Sequence, residues 1–404
     1  MAQSNTLMTL NGLFKEVYAN KLERLIPDGV KLYKMIPFVP KEKQIGNRYN
    51  QPVILGAEHG ITYGGPDDDA FNLEPAVAGQ IKNAQVPGNP RVMRSNLGYT
   101  SASRSKNSAG AFEEATKYLV ANMLQSMHKR LEIETLYGQM GLASVSVVDV
   151  DNVTISPASW AAGIWAGSEK MPIEIRSAAG ALRGNANVTR VDMDTRQVFL
   201  DAVPAGVVAT DVPYFRTAYG NEFPGIAKII TNTGTLFGID AAQYSLWKGN
   251  TVVTSGDISL EKLELAISRA IEKGLDNDVV CLLNPRIFSV LVSDEAALRK
   301  YDYSYDSQKA ENGFRSLKFF ASSGAIEVMP SIYIKQGDCF LLNLKDFVRI
   351  GSSDITFKRP GAEGEFFRDV ENAAAYEMRA WCDVAIFTPT PGKNVLIQGY
   401  NIPS

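Results

Sequence analysis

The chain has 404 residues, 45% of them hydrophobic and 21% charged, with a formal net charge of −3. That length exceeds one small core and predicts two or three compact units, while a charge so near neutral argues against a dedicated nucleic-acid binder. No apolar run reaches the roughly 18 residues of a membrane span, and Met1–Thr6 lacks the basic start of a secretory signal, so the expectation is a protein made and kept in the cytoplasm.

The N-terminal stretch predicts one amphipathic helix and then extended chain. Leu10, Leu13, Phe14, Val17, Leu22, Leu25 and Ile26 recur at helical spacing until Pro27, and Pro37 and Pro40 keep the chain beyond it extended. Lys15, Lys21, Arg24, Lys31, Lys34, Lys41, Lys43 and Arg48 outnumber Glu16, Glu23, Asp28 and Glu42, a modestly basic arm suited to a solvated or intersubunit face. From Asn47 to about Ser105, strand-like runs alternate with polar chain. Tyr49, Pro52, Val53, Ile54 and Leu55 form one run; Gln80, Ile81, Asn83, Gln85 and Val86 form another. The Gly- and Asp-rich chain between them is too long and polar for a loop inside a compact domain, and reads as an excursion held by neighbours in an assembly.

A long helix is predicted from Ala109 to about Tyr137, about 40 Å at 1.5 Å per residue. Phe112, Ala115, Leu119, Met123, Met127 and Leu131 make its apolar stripe, Ser108 its N-cap, and Gly138 and Gly141 its end. Ser144 to Phe215 reads as a separate all-β unit, with a hairpin over Val188–Leu200 turning near Asp194-Thr195 and a core plugged by Trp160 and Trp165. After Gly238 the pattern is mixed: a helix over Ile258–Lys273 capped by Ser259 or Asp257, a buried strand Val279–Leu283, and a helix opened by Asn284-Pro285. Strands are predicted over Ile326–Ile334, Phe340–Leu342 and Phe347–Ile350, split by Pro330 and Gly337, and one long, partly alternating strand from Phe366 to Phe387.

Catalytic chemistry finds little material. His59 sits in a polar turn and His128 on the polar side of the long helix, so both read as solvated or interface histidines. Cys281, Cys339 and Cys382 form no CxxC pair and read as buried or free thiols. Gly64-Gly65-Pro66-Asp67-Asp68-Asp69 lacks the closing Glu of a calcium loop, and Asp192 and Asp194, placed on one strand face, read as a solvated hairpin end. No catalytic, cofactor or metal residue is expected, and none of the nucleotide-phosphate, zincin or nucleophile-elbow motifs occurs.

The order of elements resembles the major capsid proteins of tailed bacteriophages, the Hong Kong 97-type fold. The resemblance rests on Ile258–Leu291, on Gly324–Val328 with Gln336-Gly337-Asp338, and on Phe366–Asp369 through Tyr376–Arg379 to Ile397. Trp160–Gly167, Val188–Leu200 and Phe237–Asp240 running into Tyr244 and Trp247 look closest to short-tailed phages of the coliphage N-four type (Schitoviridae).

The resemblance implies an α+β chain divided into an N-terminal arm (1–46), an extended β-loop (47–106), the spine helix of a peripheral domain (107–143), an inserted β domain (144–216), an axial domain with peripheral strands (217–365) and a C-terminal peripheral strand (366–404). It implies a non-enzymatic protein without cofactor that assembles with itself into pentamers and hexamers of an icosahedral shell. Scaffolding, portal and decoration proteins would be its partners; the shell would form in the bacterial cytoplasm and enclose double-stranded DNA without reading its sequence. The rival is an encapsulin-type nanocompartment, against which the β-unit and extra length argue. Lys82 lies where some relatives carry a cross-linking lysine, but no acidic catalyst is readable and no bond is predicted. Deleting Gly56–Gly98 is expected to leave a foldable subunit that builds no stable shell.

Overall fold

The computed structural model describes residues 26–39, 48–67, 70–98, 115–293, 317–321, 324–358, 368–370 and 374–403. The predicted helix over Leu10–Leu25, Pro40, the Ser108 cap, Phe112, Asp68 and Asp69, and Phe366-Phe367 lie outside these residues.

A short helix, Leu32–Met35, precedes an antiparallel ribbon of β1 (Arg48–Gly56) and β2 (Gln80–Pro87), in which Tyr49 faces Val86 and Ile54 faces Ile81. Strand β3 (Pro90–Gly98) leaves the ribbon for another sheet. The long helix comes next as Ala115–Tyr137. Met123, Met127 and Leu131 are buried, as their spacing predicts. Its last two turns are buried on every side, however, Glu132 and Glu134 included. The helix ends where its backbone touches another: Gly225 N–H donates to Gly138 O at 2.9 Å, and a Cβ on Gly138 would lie 2.2 Å from Phe223 O. Only glycine fits there.

Strands β4 (Val145–Val148), β5 (Asn152–Ile155), β6 (Pro172–Arg176), β7 (Leu182–Asp192), β8 (Gln197–Leu200) and β9 (Val212–Phe215) form one sheet in the order β4-β5-β8-β7-β6-β9. It curls until its outer strands meet: Val145 N–H donates to Asp211 O at 2.9 Å and Thr210 N–H to Val145 O at 2.8 Å. Its lining is β-branched and aliphatic, with Val145, Val153, Ile173, Ile175, Val188 and Val198 buried. Trp160 and Trp165 stack with ring centroids 6.3 Å apart and are buried as expected. They sit at a seam with the rest of the chain, since Gln336 N–H donates to Trp160 O and Gly163 N–H to Ile332 O.

A small hairpin, β10 (Thr235–Leu236) and β11 (Ile239–Asp240), leads to β12 (Asn250–Val253), a helix Leu260–Ile271, β13 (Val279–Leu283) and a helix Pro285–Ser293. Next come β14 (Leu317–Ala321), β15 (Gly324–Pro330), β16 (Cys339–Leu342), β17 (Val348–Thr356), β18 (Arg368–Asp369), β19 (Ala375–Phe387) and β20 (Val395–Gln398). One mixed sheet runs β12-β20-β16-β13-β15-β14, so the apolar run Val279–Leu283 lies inside it, between β15 and β16. Both helices carry the caps their sequences suggest: Ser259 Oγ accepts from Lys262 N–H, and Asn284 Oδ1 from Arg286 N–H. Cys281, Cys339 and Cys382 are free and buried. The Cys281 and Cys339 sulfurs lie 3.6 Å apart, and that contact with burial pushes the Cys281 thiol well up.

The run Ile326–Ile334 is split at Pro330 as expected, and beyond it the chain turns through Ser331–Lys335. One strand expectation needs correction. The single strand expected from Phe366 to Phe387 is two strands folded back on each other, Arg368 facing Glu377. Strand β19 then joins distant chain: β3 along one edge, from Pro90 opposite Asp383 to Gly98 opposite Ala375, and β17 and β18 along the other.

Candidate assembly surface

The β1–β2 ribbon is a half-supported arm. Near its root Ala84 and Val86 are buried, and Gln85 N–H donates to Phe237 O at 2.8 Å. Further out support ends. Ile54 is 74% exposed and its cross-strand partner Ile81 64%. The tip carries Ile61, Tyr63, Phe71, Leu73 and Val77, all exposed. It has little ladder hydrogen bonding, His59 N–H to Val77 O being one backbone bond that ties its two sides. Scattered exposed hydrophobes are ordinary; a run of them on a protruding arm marks a surface that another body covers.

The segment before the arm is strapped down by buried charge. Glu132, on the long helix, accepts N–H bonds from Lys31, Leu32 and Tyr33, satisfying donors that open the Leu32–Met35 helix. Burial raises the Glu132 carboxyl above its ordinary range, and the three amides oppose that rise. On the other side the Tyr33 hydroxyl donates to Asp354 Oδ1 at 2.6 Å, and Arg349 binds Asp354 Oδ2 at 2.7 Å and Ile36 O at 2.7 Å. The Arg349 guanidinium also lies 4.2 Å from the Tyr33 ring centroid. Burial works against the charge on Asp354, but Tyr33 and Arg349 outweigh it and hold its carboxyl below the usual range.

At the root of β3 a second buried cluster gathers. Arg91 meets Glu134 at 2.5 Å, Arg130 lies 3.5 Å from the same carboxylate and 3.1 Å from the Phe215 ring centroid, and Gln139 N–H donates to Glu222 at 3.0 Å. Arg91, Arg130, Glu134, Phe215 and Glu222 border a cavity of about 530 Å³ between β3, the long helix and the chain after β9. Burial lowers the Arg130 guanidinium to about 10, and burial together with Glu134 pushes the Glu222 carboxyl up to about 7.

The residues singled out in the sequence scatter. His59 is exposed near the arm tip, and Lys82 is exposed on β2. His128 is half-buried, its ring centroid 6.3 Å from that of Tyr33, and burial with Lys34 lowers its pKa. Asp192 ends β7 while Asp194 lies in the turn, so the two do not share a strand face; Asp192 Oδ1 accepts the N–H groups of Asp194 and Thr195. Among the described residues no group of three or more His, Cys, Asp or Glu is placed to hold a metal ion, and no helix is long and apolar enough to cross a membrane. The Gly56–Gly98 stretch whose deletion is expected to leave a foldable subunit includes β3, which pairs with β19 from Ala375 to Asp383. Glu132, Glu134 and Arg349 were not singled out, since charged residues in helices and strands ordinarily signal solvent.

No family model matches the sequence, and no curated protein matches it. Solved structures do. A chain of the Cyanophage A-1(L) capsid asymmetric unit is similar at a TM-score of 0.55 with 12% identity, over 98% of this chain and 99% of that one. The capsid of a native GTA particle gives 0.52 with 8% identity over 98% and 99%, and Mycobacterium phage Bobi 0.52 with 9% identity over 99% and 100%. The correspondence runs over nearly the whole of each chain, and on that basis the chain has the fold of phage capsid proteins.

Proposed function

We propose that the chain is the major capsid protein of a tailed bacteriophage, a Hong Kong 97-type subunit that assembles with itself into an icosahedral shell around double-stranded DNA. The observation that carries the reading is the arm: it exposes Ile54 and Ile81 on its strands and Ile61, Tyr63 and Leu73 at its tip, on a chain whose fold is shared with capsid proteins. A second copy is the natural cover for such a surface, and many weak contacts of this kind add up in a closed shell. In this reading residues 1–46 are the N-terminal arm, 47–106 the extended loop, and 107–143 the spine region. Residues 144–216 form a β domain inserted into the fold, 217–365 the axial unit with peripheral strands, and 366–404 the returning strand. The subunit acts structurally, not as an enzyme, and works in the virion after assembly in the host cytoplasm. Placement with the coliphage N-four type rests on sequence stretches such as Trp160–Gly167 alone.

Negative-stain electron microscopy of the purified protein, from recombinant and native sources, tests this. Uniform closed particles are expected, holding DNA when taken from the native source; empty or protein-filled native particles would favour a nanocompartment. A small monodisperse oligomer in both preparations would overturn the shell reading.

A further inference from the structure

The outward face of the sheet around β19 carries more positive charge than its own residues balance. Across β3 and β19 three rows of side chains share this face. Val92 stands opposite Trp381, Arg94 opposite Arg379, and Asn96 opposite Glu377, which Arg368 of β18 flanks on its other side. The alternate residues Met378, Ala380 and Cys382 are buried beneath them. Glu377 is the one acid in the three rows, and Arg379 binds it. Arg379, with Arg94 and Arg368 further off, holds the Glu377 carboxyl below its usual range. Asp383, next along β19, is taken by Ser352, and Asp369 alternates to the other face of β18. Like charges directly opposite on neighbouring strands weaken a sheet, yet Arg94 and Arg379 face each other here. Arg94 is exposed, Val92 is 49% exposed, and the Arg368 guanidinium lies 5.9 Å from the Trp381 ring centroid. The result is a cationic patch with an apolar border.

The tip of the arm has the opposite make-up. From Ala57 to Gly79 the sequence holds Glu58, Asp67, Asp68, Asp69 and Glu74 and neither Lys nor Arg. Glu58, Asp67 and Glu74 are exposed, beside exposed Ile61, Tyr63, Phe71 and Leu73. We propose that the acidic tip of one copy docks on the arginine face of β3, β19 and β18 in a second copy. Its carboxylates pair with Arg94, Arg368 and Arg379, and its apolar side chains cover Val92 and Trp381. Ile54 and Ile81, partway along the ribbon, are already exposed, so the tip reaches beyond its own body. Arginine forks bind carboxylates bidentately, and arginines beside aromatic rings are the side chains that dominate interfaces. Complementary potentials also fix register and reject wrong neighbours. This docking rests on the shell reading and names the surface that the arm covers.

Charge exchange tests it on the full-length protein, read as shell yield by sedimentation, with the melting point as the control for folding. Arg94→Glu with Arg368→Glu, and separately Asp67→Lys with Glu74→Lys, should each cut shell yield by roughly tenfold or more, because like charges then meet across the joint. Both pairs in one chain restore complementarity, and yield should return to within about threefold of wild type. Wild-type yield from either pair alone, or no recovery in the combined chain, would overturn the docking and leave the shell reading intact. A wild-type protein that builds no shells ends both. Normal shells that lose their DNA in the Arg94 and Arg368 variant would give this face to nucleic acid instead. Should that variant fail to fold, the tip variant decides, since Asp67 and Glu74 are exposed: a folded subunit that builds few shells is expected, and wild-type yield excludes the docking.

Discussion

The Glu132 carboxylate holds the backbone N–H of Tyr33 at 2.7 Å across 99 residues of chain. It ties the segment entering the arm to the middle of the body, and neighbouring bonds to Leu32 and Lys31 make it a three-point anchor.

Replacing Glu132 by Ala leaves buried donors without acceptors. A loss of about 2–4 kcal/mol is expected, from desolvation of unpaired amides at roughly 1–3 kcal/mol each with partial relaxation. Tyr33→Phe, which removes only the hydroxyl bond to Asp354, should cost about 1 kcal/mol. Denaturant unfolding of both variants checks the order as well as the sizes.

Ile54→Asp with Ile81→Asp should separate folding from assembly. Both side chains are more than half exposed in the subunit, so its melting point should barely move, within about 0.5 kcal/mol per site. Shell yield by sedimentation should collapse if another copy covers them. Trimming the arm to a short turn between Gly56 and Gln80 should act alike, whereas removing β3 should prevent folding, because β19 loses an edge partner.

Lys335 is buried against Tyr137, donates to Gly141 O at 3.1 Å, and burial lowers its ammonium to about 8. A folded value below the unfolded one means the charge costs stability at low pH, and the cost fades as pH rises through the folded value toward the unfolded one. Stability should therefore climb between about pH 8 and pH 10 by roughly 1–3 kcal/mol, and that climb should vanish in Lys335→Met. Urea titrations at fixed pH steps measure it.

Gly351 lies at φ +147° in the irregular part of β17, where a Cβ would sit 1.9 Å from Asp383 O. Gly351→Ala should force β17 away from β19 and cost several kcal/mol, on the order of 3. A conservative control on the same strand, Ser352→Ala, should lose only its side-chain bond to Asp383, about 1 kcal/mol.

Local pattern made parts of this fold legible. The helix Leu260–Ile271, the strand Val279–Leu283 and the helix Pro285–Ser293 arise from periodicity and caps that neighbours in sequence supply. The hairpin at Asp192–Gln197 arises likewise. The features that stayed hidden depend on distant partners. Glu132 is polar in every window of sequence and is buried only because Lys31–Tyr33 return to it. The fold-back of Arg368–Asp369 onto Tyr376–Glu377 carries no Gly or Pro in sequence to mark it, and β3 gives no sign that its partner lies almost three hundred residues on. The exposed arm was legible as chain with too little to bury, whereas the strap and the arm's buried root were not.

The curled sheet of residues 145–215 has a consequence for how this protein changes over time. Because Val145 and Asp211 join its outer strands, the unit finishes its own hydrogen bonding and offers neighbours little backbone to pair with. Sequence drift at its turns therefore has few structural repercussions elsewhere. The turn at Asp149–Asp151, where Val150 is 96% exposed, is a natural place for foreign peptide to be carried without disturbing the joints beneath.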